Sequence, residues 1–88
     1  MIIYKYTRFD NVNNKFIENN SCFFKDFNKA KLCAEEFIKD LKDEDNLQYK
    51  EELLISSDEL YRCVISYDGY YNSKINILIT IKKIYVYD

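Results

Sequence analysis

Fifteen carboxylates, three thiols and no imidazole set the chemistry open to this chain. Without histidine, the usual general base, the usual metal ligand and the Ser-His and Cys-His nucleophile systems are all missing. Gly69 is the only glycine, which excludes every Gly-rich phosphate loop. Cys22, Cys33 and Cys63 are odd in number, and none is paired at metal-ligand or redox spacing. They read as small apolar residues of a reducing cytosol, not as a disulfide framework. Asp43-Glu44-Asp45 lacks the alternating ligands and glycine turn of a calcium loop, so no metal is expected there. Glu51 and Glu52 are adjacent, and on a strand they point to opposite faces, which prevents joint acid/base work. The expectation is a protein without catalytic residues and without a cofactor.

A basic-aromatic set remains: Arg62, Lys74, Lys82 and Lys83 with Tyr61, Tyr85 and Tyr87. Such sets can stack single-stranded nucleic acid on a sheet. That reading needs a basic domain, and a pI near 5.1 disfavours it. Ile, Asn, Lys and Tyr together supply 40 of the 88 residues. All four have AT-rich codons, so the abundance of lysine and tyrosine reflects nucleotide bias first.

Few elements are needed to position these groups. Residues 1–88 make one small domain, with an apolar fraction of 48% that is ample for folding. The firmest element is a helix. Asp26 is suited to cap it, and Ala30, Cys33, Ala34, Phe37, Ile38 and Leu41 follow at steps of three and four. Phe27 extends that stripe, and the helix is expected from about 27 to 42, ending in Asp43-Glu44-Asp45-Asn46.

The rest reads as strand. Ile2 to Phe9 alternates, Asp10 to Asn14 forms a turn, and Lys15 to Glu18 returns briefly before Asn19-Asn20-Ser21 breaks it. Residues 47–55 allow either a strand or a helical turn, with strand preferred. Leu60 to Tyr67 places Tyr61, Cys63, Ile65 and Tyr67 on one face. Asp68-Gly69 is the one strong turn dipeptide, where glycine would supply a positive φ. In Lys74 to Tyr87, Ile75, Ile77, Ile79 and Ile81 share a face, and the parity then changes at Lys82-Lys83, which predicts a bulge or two partly covered faces. The fold class is α+β, one amphipathic helix packed on a mostly antiparallel sheet of four to five strands. If the edge of the last segment is free it invites pairing, so a monomer or weak homodimer is expected.

Charge is segregated along the chain. Residues 35–59 hold ten acids against three lysines, a net of −7, and the remainder holds ten bases against five acids, a net of +5. Acids directly after a helix C-terminus are disfavoured by roughly 0.3–1 kcal/mol each. Stability does not account for Asp43-Glu44-Asp45. Two readings stand: a solvated, solubilising loop, or an acidic surface built to meet a basic groove. On the second, Asp40, Asp43, Glu44, Asp45, Glu51 and Glu52 should lie exposed on one side, with Tyr70 and Tyr71 as neighbouring anchors.

Ile2-Ile3-Tyr4-Lys5-Tyr6, then Phe24-Lys25-Asp26-Phe27-Asn28-Lys29-Ala30 opening the helix, then Ile81-Lys82-Lys83-Ile84-Tyr85-Val86, form a layout that resembles small accessory proteins of phages and mobile elements. In size, acidity and element order it is similar to anti-CRISPR inhibitors, several of which block a nuclease with an acidic surface. The resemblance is one of layout and carries over no residue. It implies a phage inhibitor of a host nucleic-acid-handling protein, acting in the host cytoplasm; from the sequence itself, neither nucleic acid, which the low pI disfavours, nor a membrane is expected as a direct partner. No targeting segment is read in Met1 to Tyr6, and no apolar run is long enough for a bilayer. The other function class is a small structural or regulatory module, such as a strand-paired homodimer or a toxin-neutralising subunit.

Overall fold

A computed structural model describes residues 1–87. Strand β1 (Ile2–Val12) turns directly into β2 (Lys15–Phe24), and helix α1 (Phe27–Asp40) follows. Strands β3 (Gln48–Leu53), β4 (Glu59–Asp68) and β5 (Lys74–Tyr85) complete the chain, with one 3-10 turn at Tyr70–Asn72. All pairings are antiparallel, in the order β2-β1-β5-β4-β3. The helix therefore leaves one edge strand and delivers the chain to the other, crossing a single face. This is an α+β fold.

The helix forms as its periodicity predicts. Asp26 accepts from the Asn28 backbone N–H at 2.9 Å, satisfying a donor that the first turn leaves free. Ala30, Ala34 and Ile38 are buried, and Phe27, Cys33, Phe37 and Leu41 pack partly buried around them. Their partners are the cross-strand rows Tyr6, Ile81, Tyr61 and Ile79, Cys63, with Ile77 and Ile65 beyond. The helix ends at Asp40, two residues before the expected 42. There the amides of Leu41 and Lys42 bond carbonyls only three residues back, tightening the last turn.

Several local expectations are corrected. The first turn is only Asn13-Asn14, both at positive φ as a two-residue hairpin demands. Asn19-Asn20-Ser21 does not end β2. Pairing with β1 continues to Phe24, and Asn19 is absorbed as a bulge opposite Arg8/Phe9. Residues 48–53 are strand, and not a helical turn. No bulge lies at Lys82-Lys83, because β5 pairs with β1 in unbroken register from Ile77 to Tyr85. The irregularity is on the neighbour β4, between Glu59 and Tyr61. Ile84 simply faces away from the helix, opposite Ile3. Strand β5 is central, so its edge is not free; the edges are β2 and β3.

Gly69 is also corrected. Its φ is −94°, and the left-handed residue of this turn is Tyr71, at φ 59°. Glycine leaves room here: a Cβ would lie 2.8 Å from the Ile75 Cδ1 and 2.9 Å from the Ser73 Oγ, so those two side chains would have to move to admit one.

Candidate functional site

At one end of the sheet, the loop after α1 meets the turn between β4 and β5. The Asp68 N–H bonds the Asp45 carbonyl at 2.9 Å, and the Glu44 N–H bonds the Leu41 carbonyl at 2.9 Å. Asn46 adopts a left-handed backbone, which lets its side-chain amide reach the Asp68 carboxylate. Lys74 binds the other oxygen of that carboxylate at 3.1 Å. These bonds fix an open depression of about 340 Å³. Tyr67, Gly69 and Ile75 line it together with Asp43, Glu44, Asp45, Asp68 and Tyr70.

The electrostatics follow from these contacts. Hydrogen bonding from Asn46, and then from Lys74, holds the Asp68 carboxyl below its ordinary value. Burial, and then the charge of Glu44, raises the Tyr67 hydroxyl. Tyr67 therefore stays neutral and offers a hydroxyl dipole among carboxylates. Lys74 is the one cation ion-paired to these acids among the described residues. The depression is thus acidic, tyrosine-edged and open to solvent.

The sequence-derived acids are not all here. Asp43, Glu44 and Asp45 are, beside Tyr70, and Asp40 is exposed at the end of α1. Tyr70 and Tyr71 are 89% and 101% exposed, so neither ring contributes appreciably to the core. Glu51 faces the helix side of the sheet, where it accepts from the Tyr61 hydroxyl at 2.9 Å and lies 4.0 Å from Lys31. It lines a different groove, between α1 and β3, with Glu35, Ile38, Lys39, Lys42 and Tyr49. Glu52 is on the opposite face, 3.2 Å from Lys50. The expectation that all six acids share one side is therefore corrected. Alternation along β3 separates Glu51 from Glu52, and the length of the strand carries both away from the loop.

Asp68 and Tyr67 were missed as site residues. The sequence signal was present: an acid ahead of the only glycine, with a lysine six residues later. In the basic-aromatic set, Tyr61 is fully buried beneath the helix side, under the Lys31 ammonium at 4.9 Å from its ring, and cannot stack a base.

Burial raises the thiols of Cys33 and Cys63, which makes them poor nucleophiles at neutral pH. Among the described residues no three His, Cys, Asp or Glu side chains gather as a metal site, and no helix is long and apolar enough to cross a membrane. Compared with protein-family models, curated proteins and solved structures, the chain matches none.

Proposed function

We propose that this chain is a non-enzymatic binding protein that docks its acidic, tyrosine-edged end against a basic groove of a host protein that handles nucleic acid. The observation that carries this reading is the gathering of Asp43, Glu44, Asp45 and Asp68 with Tyr70 around one open depression. Asp68 is tied down by Asn46 and Lys74, whereas Asp43, Glu44 and Asp45 make no ion pair among the described residues, and their mutual repulsion beyond the helix end gains nothing for the free fold. Against a cationic surface the same repulsion becomes attraction and steers encounter. The exposed Tyr70 and Tyr71 add rigid, amphipathic contact area of the kind enriched at interfaces. The layout-level likeness to phage-encoded nuclease inhibitors agrees with a partner of this class, in the cytoplasm of a bacterial host.

The test is capture from a bacterial lysate on immobilised protein, followed by a salt gradient and mass spectrometry. The expected result is a nucleic-acid-handling protein eluting early in the gradient, since exposed charge contacts are screened over about 8–10 Å at physiological salt. Retention that ignores salt, or that selects acidic proteins, contradicts the reading.

A further inference from the structure

We infer that the free edge of β3 is a self-recognition surface, on which a second copy of this chain pairs antiparallel about Glu51. The two sheet edges differ. Edge strand β2 carries the Asn19 bulge, which interrupts a regular ladder. Strand β3 pairs with β4 without irregularity from Gln48 to Leu53, contains no proline, and is exposed along its whole length. Helix α1 packs against β1, β2 and β5 and leaves Tyr49 and Leu53 of β3 uncovered, at 53% and 62% exposure. Strand β3 therefore presents unpaired backbone groups together with uncovered apolar side chains.

The sequence of β3 selects a register. A two-fold axis normal to the sheet keeps each face continuous, so paired residues must share parity and the axis must pass through one residue. Centred on Glu51, Lys50 meets Glu52 of the second copy on one face, and Tyr49 meets Leu53 on the other, each twice. Opposite charges and aromatic-aliphatic contacts are the favourable cross-strand pairs. Glu51 would face its own copy on the axis, but its carboxylate already accepts from Tyr61 and lies near Lys31. Centring on Lys50 sets lysine against lysine and Tyr49 against Glu51. Centring on Glu52 sets Lys50 against Leu54. Neither gives one opposite-charge pair.

Six residues a side make a small interface, so the association is weak. The strands run antiparallel across the seam, and the Asp43–Asp45 loop precedes β3, so the two acidic ends lie at opposite ends of the dimer. The dimer is bivalent for whatever those ends bind.

Sedimentation equilibrium over a micromolar concentration series tests this, with circular dichroism melting of every variant. Wild-type protein is expected to approach twice 10.7 kDa. Lys50→Glu and Glu52→Lys should each weaken association by about tenfold or more, as two attractions become two repulsions. The double variant K50E/E52K exchanges the charges and should restore the wild-type association. A monomer throughout the series overturns the proposal, as does a dimer insensitive to either single variant, which would place the contact at β2 or the open sheet face. Failure of the double variant to recover, while melting as wild type, overturns the register. None of these outcomes depends on the acidic end, which remains testable on the monomer.

Discussion

The Asp68 amide donates to the Asp45 carbonyl at 2.9 Å, which ties the acidic loop after the helix to the end of β4. The Asp68 side chain reinforces the tie through Asn46 and Lys74. Its carboxyl lies below its ordinary value of 3.8. A carboxyl lowered on folding contributes stability that is fully present above that ordinary value and is lost as pH falls through the folded one. The loop should therefore loosen only in acid, below about pH 4. Amide exchange of residues 43–46 followed down a pH series should show the onset there, and Asp68→Asn should flatten it. Loosening that begins near neutral pH would contradict this.

Tyr71 holds a left-handed backbone with its ring in solvent. A bulky residue in that region costs about 1–2 kcal/mol, and glycine removes the cost while adding entropy to the unfolded chain. Tyr71→Gly should thus raise stability by about 0.5–1 kcal/mol in urea unfolding. It should weaken binding to the captured partner at the same time. A destabilised variant would show that the ring does support the fold.

Gly69→Ala should act in the other direction. The added methyl would press on the Ile75 and Ser73 side chains, both of which can swing away. Overpacking of that kind should cost about 1–2 kcal/mol. A neutral result would mean that the turn relaxes freely.

Core substitutions separate the centre of the sheet from its helical cover. Ile79 is fully buried between β1 and β4, and Ile79→Ala should cost about 2–5 kcal/mol. Phe37 is only partly buried, with the Arg8 guanidinium 5.0 Å from its ring. Phe37→Ala should cost about 2 kcal/mol, less than the loss expected for an enclosed phenylalanine. Equal losses would place the centre of the core under the helix instead.

The legible part of the fold was whatever periodicity encodes. The steps of three and four from Ala30 to Ile38, and the alternation from Ile75 to Ile81, identified the helix face and the buried sheet face correctly. What failed was tertiary in origin. Asn19 looks like a strand breaker locally, yet pairing with β1 absorbs it as a bulge. The parity change after Ile81 looks like a bulge in β5, yet Ile84 pairs with Ile3 on the uncovered face.

The site was half legible for a similar reason. Asp43 to Asp45 and Tyr70 stood out by charge and by turn context, but their meeting depends on the Asp45–Asp68 bond across 23 residues. Linear proximity wrongly grouped Glu51 and Glu52 with them, because a strand sends neighbours to opposite faces. Gly69 was assigned to the right turn for the wrong reason, since sequence shows a glycine but not whether room or backbone sign requires it.

The acidic end is the centre of this account, and charge reversal there is its most direct test. Asp43→Lys, Glu44→Lys and Asp45→Lys combined should leave the circular dichroism spectrum unchanged and melting no lower than wild type, because all three side chains are exposed and cations are favoured beyond a helix C-terminus. Isothermal titration against the protein captured from the host should then show binding lost by at least about a hundredfold, as several attractions become repulsions. A folded triple variant that kept full affinity for that partner would contradict the account.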